Sequence, residues 1–235
     1  MTKTLHIAKK KKDNSTLSER EVAFAAQNQI IKDSLSLVKH KFIVMSGKGG
    51  VGKTSVAANL AIALSKKGAR VGLMDVDLHG PDIPGILGLK GVLEASVNGQ
   101  ITPKPYSENL EVVSVGSMAG DPDKAIIVTM PQKMSLNDVR RSINFCKDVK
   151  MEVFGLIENM SGFVCPNCGT SIDLFGSGGG FRTAAAMNIP FLGQIPVDSR
   201  MVKCADAGES YMEKYQDSEV TKEFNQVVAK ILNQG

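Results

Sequence analysis

Two short stretches of the sequence carry residues whose types and spacing could do chemistry. The first, residues 47–54, reads Gly-Lys-Gly-Gly-Val-Gly-Lys-Thr and satisfies the phosphate-binding pattern G-x-x-x-x-G-K-[ST]. Its glycines let backbone N–H groups turn toward phosphate oxygens, Lys53 can reach the β- and γ-phosphates, and Thr54 can ligate Mg²⁺. A flexible glycine turn is the simpler alternative. The predicted nucleotide-binding residues here are Gly47, Lys48, Gly49, Gly50, Val51, Gly52, Lys53, Thr54 and Ser55.

Lys48 is a second lysine inside this loop, which we call the P-loop, and a simple phosphate cradle does not need it. Because Lys53 already serves the phosphates, we predict that Lys48 acts across a dimer interface on a partner's nucleotide, as an arginine finger would. Asp75 and Asp77 end the next apolar run, where carboxylates can hold a magnesium shell or orient an attacking water. Asp77 could equally be a turn residue before Gly80-Pro81. The predicted catalytic residues are Lys48, Lys53 and Asp77.

The second stretch is Cys165-Pro166-Asn167-Cys168, a spacing that cytosolic proteins use for metals or redox chemistry. A tetrahedral zinc or an iron–sulfur cluster usually needs four protein ligands, and this pair supplies two. Cys146 and Cys204 lie in helical stretches with apolar neighbours and are better explained as small core residues. A second copy of the pair across a two-fold axis would complete four thiolates. A thioredoxin-like redox pair and a half-empty zinc knuckle are the alternatives.

The elements that must position these residues alternate between strands and helices. Apolar runs predict buried strands at 42–45, 71–74, 110–115, 126–130, 153–157 and 191–195. Helical spacing predicts helices at 17–38, 55–67, 135–147 and 224–232. The P-loop falls between the second helix and the strand before it, as its chemistry requires. Such alternation predicts an α/β fold with a mostly parallel central sheet and helices on both faces.

Composition narrows the class of protein. The chain has 235 residues, 43% of them hydrophobic, and a formal net charge of +4, which is typical of a globular protein. It lacks the roughly 18 uninterrupted apolar residues of a membrane span and the apolar segment of a signal peptide, so we expect a cytoplasmic protein without a membrane partner. No aromatic residues interleave the basic run at 9–12, which disfavours nucleic acid as a partner. We expect a basic, partly helical leader at 1–40 and one domain at 41–235.

Four motifs in a fixed order identify a family resemblance. They are the P-loop with Ser46, the run Asp75-Val76-Asp77-Leu78-His79-Gly80-Pro81-Asp82-Ile83-Pro84, Glu158-Asn159-Met160-Ser161, and Cys165-Pro166-Asn167-Cys168. Together they resemble the Mrp/ApbC family of P-loop ATPases, relatives of MinD, ParA and the nitrogenase iron protein. The resemblance covers Lys41 to about Asp217 and implies a P-loop NTPase fold with a small cysteine-containing insertion, which we call the cysteine segment, at 163–175.

The resemblance also implies a function. The family's members are homodimeric carriers that bind ATP with Mg²⁺, hold a bridging [4Fe-4S] cluster on the paired C-x-x-C, and pass it to apoproteins with the help of cluster-assembly proteins. By this resemblance Lys48 looks like the signature lysine that acts in trans, Asp77 looks like the switch I carboxylate, and Asn159 looks like the amide that reads adenine. Cys165 and Cys168 would be the cluster ligands and Thr54 the magnesium ligand.

The sequence departs from the family between the predicted strands at 110–115 and 126–130. The family carries there a helix and a strand ending in Asp-x-Pro-Pro-Gly-x-Gly-Asp, the Walker B and switch II element that holds the magnesium shell and senses the γ-phosphate. This chain has only Gly116 to Ala125, and Asp121-Pro122-Asp123 is a poor substitute. Either the deletion belongs to the protein or the segment is absent only from this sequence. With a real deletion we expect phosphate binding to survive, hydrolysis to be impaired, and the sheet to close over the lost strand.

Three functions follow from these motifs. The first is an ATP-binding iron–sulfur cluster carrier, with hydrolysis implied by the resemblance. The second is a MinD/ParA-like positioning ATPase, which would have no use for paired thiolates. The third is a scaffold that binds nucleotide and metal without turnover, because the switch II segment is missing.

Overall fold

A computed structural model describes residues 26, 29–30, 33–76, 82–89, 102–114, 122–165, 168 and 170–234. The chain divides into two compact units, residues 1–39 and 40–235. Most of the predicted leader helix and the basic run at 9–12 lie outside the described residues. Within the helix predicted at 17–38, the structure shows helical backbone at residues 26, 29–30 and 33–36. A turn follows at Leu37.

The second unit alternates strands and helices along its described part. The strands are β1 (Phe42–Met45), β2 (Val71–Asp75), β3 (Lys104–Ser107), β4 (Leu110–Ser114), β5 (Lys124–Thr129), β6 (Glu152–Val164), β7 (Ser171–Ile172) and β8 (Phe191–Val197). The helices are α1 (Lys53–Lys66), α2 (Ile83–Ile86), α3 (Lys133–Asp148), α4 (Gly179–Met187), α5 (Ser199–Ala207), α6 (Tyr211–Lys214) and α7 (Glu219–Gln234). All six predicted strands and the three predicted helices of this unit are confirmed.

Helices cover both faces of the larger sheet because its strands alternate apolar side chains between two cores. Ile126 and Val128 of β5 belong to the core that includes residues of α1 and α7, whereas Ile127 belongs to the core that includes residues of α3 and α4. Helix α7 buries one apolar stripe, which consists of Val220, Phe224, Val227, Val228 and Ile231. The predicted α/β class, with helices on both faces of a mostly parallel sheet, is confirmed.

The strands form two sheets within the described residues. In the larger one β1, β5, β6 and β8 run parallel in that order, and β7 pairs antiparallel with the end of β6. In the smaller one β2 and β4 are parallel and β3 is antiparallel to β4. Strands β1 and β2 lie at the ends of the two strand orders and do not pair with each other. The expectation that the sheet closes over the lost strand is therefore wrong.

Packing joins the two sheets. Leu110 and Val112 of β4 share one buried core with Ile126 and Val128 of β5 and with residues of α1. Helix α1 contacts β1, β2 and β4, so it packs against both sheets. A shared apolar core, rather than lateral hydrogen bonds, joins the two sheets.

Other differences from the sequence-based elements are local. Strand β6 continues seven residues beyond its predicted end at Ile157, through polar residues that find partners inside the protein. Six short elements, β3, β7, α2, α4, α5 and α6, were not predicted from the sequence. None of the described helices combines the length and apolar character required to cross a membrane.

Candidate nucleotide and cysteine sites

The P-loop connects β1 to α1, and its glycines give it the shape that phosphate binding needs. Gly50 and Gly52 have φ angles of 77° and 81°, in the left-handed region that favours glycine. A side chain built on Gly49 or Gly50 would meet no atom within 4 Å, so the loop faces open space there. Lys48 is exposed, and Lys53, Thr54 and Ser55, which open α1, are half-buried. All nine predicted loop residues therefore lie in the connection from β1 to α1 and in the first turn of α1.

Asn159 lies at the same site although it is far away in sequence. Its side-chain Nδ2 donates a hydrogen bond of 2.9 Å to the carbonyl oxygen of Val51 in the P-loop. A Cβ atom on Gly52 would lie only 2.5 Å from that nitrogen, so the close approach requires glycine at residue 52. Asn159 is 7% exposed and borders the cavity described next.

A cavity of about 330 Å³ adjoins the P-loop on the side of α5 and α6. Gly52, Ser55 and Asn159 line one wall, and Pro196, Val197, Asp198 and Tyr211 are among the residues of the opposite side. A largely apolar cavity with a few polar groups and a volume of a few hundred cubic ångströms is typical of small-molecule sites. Its position next to the phosphate loop suits the base and sugar of a nucleotide.

Hydrogen bonds around Asp198 fix the far wall of this cavity. Asp198 caps α5 by accepting from the Arg200 backbone N–H at 2.8 Å, and it accepts from the Tyr211 hydroxyl at 2.6 Å and from Arg200 Nε at 2.9 Å. Burial alone would raise the pKa of Asp198, but the bonds from Arg200 and Tyr211 outweigh it and hold that pKa below its usual value. Burial and the bond to Asp198 raise the pKa of Tyr211 to about 12. The guanidinium of Arg200 lies 4.4 Å from the centre of the Tyr215 ring.

The predicted acidic residues are only partly located. Asp75 is buried at the end of β2, and its Oδ2 accepts a hydrogen bond of 3.1 Å from the backbone N–H of Ile83, at the start of α2. Asp77 lies outside the described residues, as does Asp121. Asp123 forms a 2.7 Å ion pair with Lys41 and is half exposed. Of the three predicted catalytic residues, the structure therefore places Lys48 and Lys53.

The cysteine pair lies at the turn of the β6–β7 hairpin. The backbone N–H of Cys165 donates to the carbonyl of Thr170 at 2.9 Å, which closes the turn, and Cys168 is exposed. The Sγ atom of Cys168 lies 3.2 Å from the Thr170 hydroxyl. Hydrogen bonds from Thr170, first from its hydroxyl and then from its backbone, and from Cys165 lower the pKa of Cys168, which favours the thiolate that binds metals.

The other two cysteines do not take part in this site. Cys146 and Cys204 are 0% and 3% exposed, and burial raises the pKa of both. Their prediction as small core residues is confirmed. Within the described part of the chain, no three His, Cys, Asp or Glu side chains come together in an arrangement that could hold a metal ion. Any cluster or metal held by Cys165 and Cys168 would therefore need further ligands from outside these residues.

Comparison with known proteins assigns the fold and the family. The family model described as ParA, NUBPL iron-transfer P-loop NTPase, matches residues 37–127 and 119–232. The chain belongs to this family. An iron–sulfur cluster carrier protein from Methanocaldococcus jannaschii is 31% identical over 270 aligned residues, which cover 93% of this chain and 92% of the relative. The cytosolic Fe-S cluster assembly factor CFD1 of Kluyveromyces lactis is 35% identical, with 86% of this chain and 93% of the relative covered.

Solved structures agree with this assignment. A nucleotide-binding protein from Archaeoglobus fulgidus in complex with ADP superposes with a TM-score of 0.67 at 32% identity, covering 77% of this chain and 91% of that one. The MinD cell division protein of Aquifex aeolicus shares the fold, with a TM-score of 0.65 at 20% identity and coverage of 83% and 98%. This P-loop NTPase is therefore built like the family that its motifs resemble.

The alignments also bear on the missing segment. The first alignment spans 270 residues, more than the 235 of the whole chain, so the relative carries residues that this sequence lacks. The two matched parts of the family model overlap at residues 119–127, which extend from the link after β4 into β5. This is the link in which the Walker B and switch II element is expected. The division of the strands into two sheets accompanies this shortened link.

Proposed function

We propose that this protein is an ATP-binding carrier of iron–sulfur clusters. The P-loop would bind ATP with Mg²⁺, held by Lys53 and Thr54, and Asn159 would contact the adenine in the adjoining cavity. Two copies of the chain would share one [4Fe-4S] cluster between their Cys165 and Cys168 thiolates and pass it to iron–sulfur apoproteins together with cluster-assembly proteins. Lys48 would act on the partner's nucleotide. The word cytosolic in the name of the Kluyveromyces lactis relative supports the same location here.

The observation that carries this proposal is the position of the cysteine pair. Strand β6 contacts the P-loop through Asn159 and continues directly into the hairpin that presents Cys165 and Cys168. Two thiols that lie at an exposed turn, rather than in the core, support a metal-binding role for the pair. A positioning ATPase has no use for such a pair, so the cysteines favour the carrier over that alternative.

Efficient hydrolysis is the part of the family's chemistry that this sequence supports least. The switch II motif is absent from the sequence, and Asp77 lies outside the described residues. The division between β1 and β2 favours, as a second candidate, a carrier that binds nucleotide with little turnover. Phosphate binding itself depends on the loop amides and Lys53, which are all present.

Cluster reconstitution tests the carrier directly. Wild-type protein incubated anaerobically with iron and sulfide should turn brown, with about four irons per dimer. Cys165→Ser should lose both the colour and the iron, because only one thiolate per chain remains. Cys146→Ser and Cys204→Ser are matched controls, since both thiols are buried in the core, and both variants should keep the cluster. Colour retained in Cys165→Ser would contradict the assignment.

Calorimetry with ATP and Mg²⁺, followed by a steady-state phosphate-release assay, separates the remaining candidates. Binding without measurable release would favour the carrier with little turnover. Binding with release would favour the hydrolysing carrier. Absence of ATP binding would contradict the nucleotide site altogether.

A further inference from the structure

Glu158 is a buried carboxylate that belongs to neither the proposed nucleotide site nor the proposed cluster site. It lies in β6 immediately before Asn159 and is 0% exposed. Its oxygens accept hydrogen bonds from the Ser161 hydroxyl at 2.5 Å, from the Gly178 N–H at 2.7 Å, from Gln194 Nε2 at 2.9 Å and from the Gly180 N–H. Removing a carboxylate from water is costly unless such donors replace the water, so this set of bonds is a built feature of the fold.

The partners of Glu158 bracket the cysteine segment. Ser161 lies just before the segment begins at residue 163, and Gly178 lies just after it ends at residue 175. Gly180 belongs to the first turn of α4, and a Cβ atom there would come within 2.9 Å of Glu158 Oε2. One side chain therefore holds both the entry and the exit of the cysteine segment, and glycine at residue 180 allows it to approach.

The neighbouring residue reaches the other site. Successive side chains of a strand point to opposite faces, so Asn159 points away from Glu158, and it contacts Val51 in the P-loop. Beyond Asn159 the strand is irregular, because Met160 has a φ of 56° and the pairing of β6 with β8 shifts register between Asn159 and Phe163. A displacement of this end of β6 would move the contacts to both sites together.

We propose that Glu158 is the positioning residue that couples nucleotide binding at the P-loop to the arrangement of the cysteine segment. A change in the P-loop on binding Mg²⁺-ATP reaches Asn159 through the bond to Val51. The adjacent Glu158 passes it to Ser161, Gly178 and Gly180. The coupling rests on the proposed function only in that the P-loop binds nucleotide, and it requires no bound cluster.

Thiol reactivity of the cluster-free, full-length protein tests this coupling. An aromatic disulfide reagent reports on Cys165 and Cys168, because Cys146 and Cys204 are buried. In the wild type, saturating Mg²⁺-ATP should change the reaction rate about fivefold or more, the lower range of allosteric coupling. Glu158→Gln keeps the size of the side chain but turns one acceptor into a donor that faces other donors. In this variant the ratio of rates with and without ATP should approach one, while calorimetry still detects ATP binding.

Two further variants serve as a control for Glu158→Gln and as a substitute if that variant does not fold. Gln194→Ala removes one donor to Glu158 but leaves its bonds to Ser161, Gly178 and Gly180, so the ATP effect should remain. Ser161→Ala removes only the bond at the entry and should reduce the ATP effect partially, which provides a result if Glu158→Gln does not fold.

Two outcomes would overturn the coupling. The first is an ATP effect in Glu158→Gln that equals that of the wild type, including the case in which the rates with and without ATP change by the same factor, as a purely structural role would give. The second is a wild type whose thiols do not respond to bound ATP. In the last case calorimetry and cluster reconstitution would still report on the proposed function independently.

Discussion

The two sides of the nucleotide site are built to different degrees. On the base side, β6 and β8 are paired, Asn159 is bonded to the P-loop, and Asp198, Arg200 and Tyr211 form one hydrogen-bonded wall. On the other side, β1 and β2 end two separate strand orders, and the switch II element is absent from the sequence. We therefore expect nucleotide binding and hydrolysis to be separable in this fold, because different strands would position the groups that each one needs.

Restoring the missing element should produce the largest effect. Inserting a relative's Walker B strand and switch II loop between Gly116 and Ala125 should raise steady-state phosphate release about 10²-fold or more. Loss of a single oriented group that stabilises a transition state costs a comparable factor in rate. Phosphate release at saturating Mg²⁺-ATP is the measurement. A graft with both motif aspartates changed to asparagine is the control, and a graft that leaves the rate unchanged would show that the two sides do not differ in this way.

A pair of glycine variants probes the contact between the base side and the P-loop. Gly52→Ala should lower the free energy of unfolding by about 1–2 kcal/mol, because its φ is positive and the new Cβ would collide with Asn159. Gly50→Ala should lose less than Gly52→Ala, since Gly50 has a similar positive φ of 77° but its Cβ would meet no atom within 4 Å. Urea denaturation of the nucleotide-free proteins measures both. Equal losses would mean that Asn159 is not held against the loop.

The smallest effect concerns the pH dependence of the base-side wall. The pKa of Asp198 is lowered in the folded protein, so its carboxylate stabilises the fold above the unfolded value of about 3.9, and this contribution is lost as the pH falls through the folded pKa. Wild type should therefore lose more stability than Asp198→Asn between pH 6 and pH 3. Thermal unfolding across this range is the measurement, and identical pH profiles would contradict the role of the wall.

Most of the fold could be predicted from local patterns in the sequence. The apolar runs of β1, β5 and β8 and the stripe of α7 are visible in a few consecutive residues, and so is the glycine spacing of the P-loop. The division into two sheets was not predictable, because strand pairing joins residues that are far apart in the sequence, such as Phe42 with Lys124 and Val71 with Leu110. The end of β6 was missed for a similar reason. Glu158 and Asn159 break the apolar run, and only their distant partners show why they remain in a strand.

The candidate site likewise has one part that could be predicted from the sequence and another that could not. The P-loop and the cysteine pair were predicted because their chemistry lies within eight and four consecutive residues. The wall of Asp198 and Tyr211 was missed, since its partners are 13 residues apart and belong to different helices. The only local signal was the sequence Asp198-Ser199-Arg200, an aspartate that can cap a helix two residues before an arginine.

The alternation of Glu158 and Asn159 sets a limit on how this chain can change in length. Insertion or deletion of one residue in β6 before this pair would turn each side chain to the opposite face of the sheet. The carboxylate would then face the P-loop, and the amide would face the glycines of α4. Strand β6 therefore cannot vary by one residue without exchanging what its two faces present. Over evolutionary time, this strand should be the part of the domain whose length varies least.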